Sequence, residues 1–486
     1  MRLITSQLRV NTKLLLQLMF YFFIIVFLVV YYFVSDLTDV NEVILADFYI
    51  AVFVYVLSFA ISKYTKKGYN VFVWFLFLTF FFFFGQHTVF FLSAGEFNLP
   101  ISDRADFGDI RCADFYTLAS IIFMQIGYCI FRIFGVNKNN IVRSINEMKI
   151  EKNTMHRLSR VILVTLFIPF LYLYYTRIMY VFTQGYGSNI GTAEYSSGVL
   201  VVFMGIVSPA ILMYFLSMEK HYKRFVLMFC CYCLLILASG TRIQVVTLSF
   251  IILYISALKG LVKIGSLHKT IKIFIYILVF AVLMNLLSYV RGGGNIINIV
   301  SYFDYFQKNN LIYSVLKETG YTGFVTTVIV DFCPSTIPFA QGLSYLNGLI
   351  YILPNIFVTP ILGQYYFNTD MIFSPLVTQY GGIGSSFVAE SYFNFGVFGV
   401  IVNMIFGYLW GVFATMLDKA IEENKLAEAF LASYAISCAV FFVRSDTGTF
   451  LRNYIWFGVT LFLLIKYLSR RRYYSMHKAK ERVKVK

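Results

Sequence analysis

Five arginines carry the first chemical signal. Arg177, Arg242, Arg291, Arg444 and Arg452 each stand at the end of an apolar run or in the short polar turn between two such runs. Arginine keeps its charge, and its planar guanidinium matches two phosphate oxygens at once. At the edge of a membrane such a group is costly unless it is paired or hydrated. Five of them converging from different helices would suit a pyrophosphate carried on a lipid. The bland alternative for each is snorkelling to headgroups, or pairing with a neighbour, as Asp446 could pair with Arg444. A second signal lies in residues 380–399, YGGIGSSFVAESYFNFGVFG, where Glu390 is the sole acid between Asp370 and Asp418. At helical spacing Ser386, Glu390 and Asn394 share one face, while Gly399, Asn403, Gly407 and Gly411 recur on a roughly opposite one. The first face offers a carboxylate that could serve as a general base or hold a sugar hydroxyl. The alternative is an acid favoured by the dipole at a helix N-terminus. The second face, of small residues, allows close helix packing. Gly381–Gly384 ahead of it could present backbone N–H groups to an anion.

The elements that must position these residues follow from composition. The chain has 486 residues, 59% hydrophobic and 13% charged, against about 45–50% and about 25% in ordinary globular domains. The excess falls in near-uncharged runs such as 14–34 and 71–92, long enough for a bilayer core ~30 Å thick. Soluble enzymes, nucleic-acid-binding domains and secreted disulfide scaffolds are excluded. A β-barrel, with alternating strands of ~10 residues, is excluded as well. The reading is an all-α polytopic membrane protein with about twelve spans. They are expected near 14–34, 44–62, 70–92, 115–134, 161–180, 198–217, 225–239, 243–258, 271–290, 388–414, 426–443 and 450–468.

The net charge of +16 is not a nucleic-acid signal, because of where it sits. With both termini in the cytoplasm, about three-quarters of the Lys and Arg fall on the cytoplasmic side, as the positive-inside rule requires. The basic tail from Arg470 to Lys486 reads as an orientation and lipid-headgroup signal. The first apolar run is too long for a cleaved signal peptide and reads as a signal anchor. Of seven cysteines, only Cys112 and Cys333 fall in outer loops; a bridge between them is one option and free thiols the default. No nucleotide-binding glycine motif is present, so activation from a cytosolic nucleotide has no recognisable site.

One integral membrane domain covers 1–486, and within it the stretch 291–385 is expected to form a large, partly helical outer loop between the ninth and tenth spans. A structureless loop of that length is improbable. Prolines 334, 338, 354, 360 and 375 should divide it into short helices at, or dipping into, the outer interface. The glycines after Arg291 leave its start free to turn. The turn Ser239–Arg242 joins two apolar runs of 14 and 16 residues (Phe225–Ala238, Ile243–Leu258), short of a full span, so Arg242 should lie within the outer leaflet. His87, in GQHT of the third span, could be a base, but an interhelical hydrogen bond is the commoner role of such a group. Tyr302, Tyr305, Tyr365, Tyr366 and Tyr380 could stack on sugars, although no spacing selects them. The absence of an acidic cluster points to a metal-independent reaction.

These residues carry a resemblance. Leu237-Ala-Ser-Gly-Thr-Arg242, Tyr289-Val-Arg291, Gln341-Gly-Leu-Ser-Tyr-Leu346, Leu353-Pro-Asn355, Gly381-Gly-Ile-Gly384 and Ala389-Glu-Ser-Tyr-Phe-Asn-Phe-Gly396 together look like the O-antigen polymerase, or Wzy, family of oligosaccharide repeat-unit polymerases. The last motif is the most specific, and residues before 200 match only in hydropathy. Asn355 departs from the pattern, since many relatives carry Arg after the Leu-Pro pair.

The resemblance implies a GT-C-like glycosyltransferase in the bacterial inner membrane with its active face outward. It implies no cofactor. Its substrates would be undecaprenyl-pyrophosphate-linked oligosaccharides among membrane lipids, polymerised into O-antigen of lipopolysaccharide or a related surface polysaccharide, with a chain-length regulator as a candidate partner. Arg242, Arg291 and Glu390 would be catalytic. Arg177, Arg444, Arg452, Asn394, Ser386 and Tyr392 would bind substrate. The competing readings are an O-antigen ligase and a lipid-linked oligosaccharide flippase.

Overall fold

A computed structural model describes residues 2–65, 70–95, 99–101, 106–135, 145–184, 205–218, 222–239, 243–261, 311–354, 357, 369–373, 375–376 and 383–484. Among these residues the regular structure is entirely helical. Among the described residues seven helices are long and apolar enough to cross a membrane, or eight if the bent pair Met148–Thr165 and Phe167–Met179, at 48°, counts as one. The described part of the chain is therefore all-helical and has the make-up of a polytopic membrane protein.

The N-terminal half supplies α1 (Arg2–Val34), α2 (Val40–Thr65), α3 (Val71–Leu92), α4 (Phe107–Phe134), α5 (Ile145–Thr165), α6 (Phe167–Gln184), α7 (Val207–Ser217), α8 (Tyr222–Ala238) and α9 (Ile243–Leu258). The C-terminal half supplies α10 (Leu311–Thr319), α11 (Tyr321–Phe332), α12 (Leu343–Ile350), α13 (Thr369–Phe373), α14 (Phe387–Phe395), α15 (Val400–Glu422), α16 (Leu426–Phe441), α17 (Thr447–Asn453) and α18 (Thr460–Lys484). The expected span at 271–290 and the first part of that at 198–217 lie outside the described residues; the rest of the latter holds the apolar helix Val207–Ser217, and 243–258 appears as the shorter apolar helix Ile243–Leu258.

The core is built on the packing of α4 against α15. Glycines make it possible. A Cβ on Gly127 would stand 1.8 Å from the Met404 carbonyl oxygen, and one on Gly407 1.8 Å from that of Met124. Gly411 sits against the Phe131 ring. Backbone-to-backbone contact of this kind replaces the hydrophobic drive that is missing between helices in lipid.

Two expectations change in detail. The run 388–414 is not one helix. It breaks at Gly396, whose φ of +55° and ψ of −137° end α14, and a 3-10 turn (Gly396–Gly399) leads into α15. That backbone conformation is open to glycine and strained for any residue with a Cβ. The polar face and the glycine stripe thus belong to two helices, not to two sides of one.

The helices expected at the interface are, in part, inside the bundle. Residues Thr322–Val330 of α11 are all buried, and α10 and α11 pack on α3 while α11 also packs on α4. The contact is again through glycine. A Cβ on Gly320 would meet the Gln86 nitrogen at 2.2 Å, and one on Gly323 the Phe83 oxygen at 2.1 Å. Opposite them α3 is kinked at Phe84 (φ −112°, ψ 16°).

Candidate active site

The chemistry of residues 386–394 starts with a helix cap. Ser386 is extended (φ −152°, ψ 157°), and its hydroxyl accepts the Ala389 N–H at 3.0 Å. This satisfies one of the free donors at the start of α14. One turn on, Glu390 is 2% exposed. Its Oε1 accepts the Ser344 hydroxyl at 2.8 Å. Its Oε2 accepts both the backbone N–H and the hydroxyl of Thr447, each at 2.8 Å. One carboxylate therefore ties together α14, α12 and the start of α17.

Asn394, a turn further, completes the arrangement. Its Oδ1 accepts the N–H groups of Gly342 (3.0 Å) and Ser344 (3.3 Å). Its Nδ2 donates to the Ser344 hydroxyl (2.6 Å) and to the Glu390 carbonyl (2.7 Å). Two backbone bonds run alongside, Ala340 N–H to Phe393 O and Gln341 N–H to Asn394 O, each 2.9 Å. Gln341 (φ +50°) and Gly342 (φ +90°) make the turn that brings Ser344 in. The QGLSYL segment and the AESYFNFG segment, some fifty residues apart in the chain, are thus one folded unit.

The other side of the unit is held by aromatics. Arg452 lies 4.5 Å from the Tyr351 ring centroid and 4.5 Å from that of Trp456. The Trp456 indole N–H donates to the Ile352 carbonyl at 2.6 Å. A cation between two ring faces is attracted by both quadrupoles. Gly348 and Gly448 let α12 approach α17, a Cβ on Gly348 standing 3.0 Å from the Gly448 nitrogen. Arg444 donates to the Glu318 carbonyl at 3.4 Å, and Asp446 caps α17 through Thr449 N–H at 2.7 Å. Burial first, and then the nearby Glu390 charge, push the Tyr345 phenol well above its ordinary range. It remains a neutral hydroxyl.

Beneath α14, Ser391 links three helices. Its hydroxyl donates to the Val388 carbonyl (2.7 Å), so it accepts from Asn403 Nδ2 and from the Tyr116 hydroxyl, each at 2.8 Å. Tyr392 is 6% exposed and packs edge-on against Tyr116 (4.9 Å) and Phe339 (5.8 Å). It is a buried packing residue in this arrangement.

The structure accordingly gathers Glu390, Asn394 and Ser386 on one helix, with Arg444 and Arg452 flanking the Thr447 that contacts Glu390. Arg177 stands on α6, over the Tyr174 ring at 5.7 Å. Arg242, Arg291, Asn355, Gly381 and the tyrosines at 302, 305, 365, 366 and 380 lie outside the described residues. Cys112 and Cys333 are free thiols. His87, fully buried, pairs through Nε2 with Asp114 at 2.6 Å, the interhelical role expected of it. Among the described residues no group of three or more His, Cys, Asp or Glu could hold a metal ion. Sequence reasoning missed Ser344, Thr447, Ser391 and Tyr116. The only signal was indirect, in the Asp446-Thr-Gly-Thr cap sequence and the QGLS turn.

The sequence profile of the family described as O-antigen polysaccharide polymerase Wzy matches residues 17–477. The chain belongs to this family. No curated protein and no solved structure matches it. The match runs through the N-terminal helices as well, where hydropathy alone had carried the likeness. In this Wzy-family chain the AESYFNFG helix, the QGLSYL turn and the Asp446–Thr447 cap form one hydrogen-bonded unit.

Proposed function

We propose that this protein joins lipid-linked oligosaccharide repeat units into O-antigen or a related surface polysaccharide, at the outer face of the cytoplasmic membrane. Membership of the Wzy family across residues 17–477 is the observation that carries this reading. The growing chain on undecaprenyl pyrophosphate is the donor and a single lipid-linked repeat is the acceptor. A hydroxyl oxygen of the acceptor's non-reducing sugar attacks the donor's anomeric carbon. The bond from that carbon to the pyrophosphate oxygen breaks, and the pyrophosphate takes the electron pair. The hydroxyl proton passes to solvent or to a base. No nucleotide enters, since the leaving group already carries the activation.

Charge develops on the departing pyrophosphate, so cations placed there stabilise the transition state more than the ground state. Arg242 and Arg291 take this role, with Arg177, Arg444 and Arg452 as further candidates. Glu390 is a positioning residue in this proposal. Both of its oxygens already accept hydrogen bonds, and they fix the QGLSYL turn against the last helices. Asn394 and Ser386 hold the same unit.

The test is genetic. Deletion of the gene should shorten the surface glycan to a single repeat, and the intact gene should restore the ladder. Arg242→Ala and Arg291→Ala, accumulating at normal level, should not restore it. An unchanged ladder in the deletion strain overturns the assignment. Completed polymer stranded on the lipid carrier would indicate a ligase, and repeats trapped on the cytoplasmic face a flippase.

A further inference from the structure

A cleft between α5 and α18 is lined by three arginines. It encloses about 440 Å³, with Arg157, Leu158 and Val161 on one wall and Leu468, Arg471 and Arg472 on the other. The lining positions (154, 157, 158, 161 and 468, 471, 472, 475) recur at helical spacing on both helices. The cleft is therefore a seam between two neighbouring helices, not a scatter of surface side chains.

Among the described residues none of the three guanidinium groups has an ion-pair partner. The adjacent cation is handled differently. Lys466 is bonded to Glu151 at 2.6 Å and to Glu428 at 3.0 Å. Side chains that could balance a cation are thus engaged one turn away from the cleft.

The apolar wall continues outward. Val161 is 58% exposed and Val164, one turn along the same face, 75%. Phe167 and Ile168 follow beyond the bend, also exposed. In a membrane protein such a face is turned to acyl chains.

We propose that this cleft binds the headgroup of an anionic glycerophospholipid. The phosphodiester sits among Arg157, Arg471 and Arg472, and the acyl chains lie along Val161 and Val164. Basic clefts between helices at the cytoplasmic end of a membrane protein suit such headgroups. A water-soluble anion would gain the charges but leave the apolar wall uncovered. The inference rests on the membrane-spanning reading and not on the polymerisation chemistry, so either can fail without the other.

The experiment uses the full chain in a mild detergent and native mass spectrometry. The probes are phosphatidylglycerol, phosphatidylcholine and inorganic phosphate. Wild type should retain phosphatidylglycerol in preference to phosphatidylcholine, and inorganic phosphate should not displace it. R157A/R471A/R472A should bind it about a hundredfold more weakly, at roughly fivefold for each cation removed. R157K/R471K/R472K keeps the charge and should keep most of the binding, which separates loss of cations from loss of fold. K478A/K480A/R482A removes the same charge elsewhere in the basic tail and should bind as wild type. Equal retention of phosphatidylcholine, wild-type binding by the cleft alanine variant, equal loss in the tail variant, or displacement by inorganic phosphate would each overturn the proposal.

Discussion

Replacing Glu390 with Gln and with Ala separates two roles for this carboxylate. Three donors converge on it, from Ser344 and twice from Thr447. In Glu390→Gln the amide oxygen can still accept both Thr447 donors, and the amide N–H can donate to the Ser344 hydroxyl. That hydroxyl also accepts from Asn394 and has a second lone pair free for it. The shape survives. What is lost is the charge assistance, about 1 kcal/mol for each of the bonds kept, together with the acceptor of the Ser344 hydroxyl proton, about 1 kcal/mol more. Removal of a buried charge offsets part of that loss. The net change should be within about 2 kcal/mol, and polymerisation should fall by less than about tenfold. In Glu390→Ala all three donors are stranded at a site 2% exposed. At roughly 1–3 kcal/mol per stranded donor, this is enough to undo the unit or the fold. The assay is complementation of the deletion strain, scored as polymer ladder, with protein level read by immunoblot and thermal stability by size exclusion in detergent. A general base behaves otherwise, because its removal typically costs about 10²–10⁴ in rate while the fold is spared. Glu390→Gln accumulating normally with no ladder would refute the positioning argument and return Glu390 to proton transfer.

Gly407→Leu should abolish stable accumulation, since even a Cβ would stand 1.8 Å from the Met124 carbonyl oxygen; normal levels on an immunoblot would contradict this packing. His87→Ala should destabilise by roughly 3–5 kcal/mol by leaving Asp114 buried without its partner, and His87→Phe with Asp114→Leu should recover much of the loss, as melting in detergent can show. Arg452→Ala should lower the melting temperature through the loss of two ring contacts worth about 0.5–2 kcal/mol each. Lost activity with unchanged melting would instead make Arg452 a substrate ligand.

The spans were legible because continuous apolar runs have few other uses, and α1 to α4 and α16 appear close to where hydropathy placed them, whereas α15 starts at Val400 and α18 at Thr460, well after the expected starts at 388 and 450. The glycine stripe at 399, 407 and 411 was legible too, since small residues at that spacing have a packing meaning of their own. The break at Gly396 was not, because hydropathy runs straight across it and only the sign of φ reveals the turn. The burial of α11 was hidden for a related reason. Thr322, Thr326 and Thr327 dilute its apolar character, yet all three are buried at 1% exposure or less. At the candidate site Glu390 stood out as an isolated acid in an apolar stretch. Its partners did not, because Ser344 lies 46 residues before it and Thr447 57 after it. Serine and threonine are common, and nothing local marks one that will meet a carboxylate. Asp114, 27 residues from His87, was missed on the same grounds.

The close fit of α10 and α11 against the kink in α3 bears on how the chain is made. The Tyr313 hydroxyl bonds the Leu92 carbonyl across 221 residues at 2.7 Å, and Gly320 touches the backbone of Gly85 and Gln86. α3 leaves the ribosome long before the segment that covers it. Until that segment arrives, Gln86 has no cover from Gly320, and the polar stretch Gln86-His87-Thr88 must be accommodated by the earlier helices, by the insertion machinery or by an assistant protein. Truncation between residues 258 and 311 should therefore yield a chain that inserts but is retained and degraded, and the membrane quality-control system would become part of this protein's maturation.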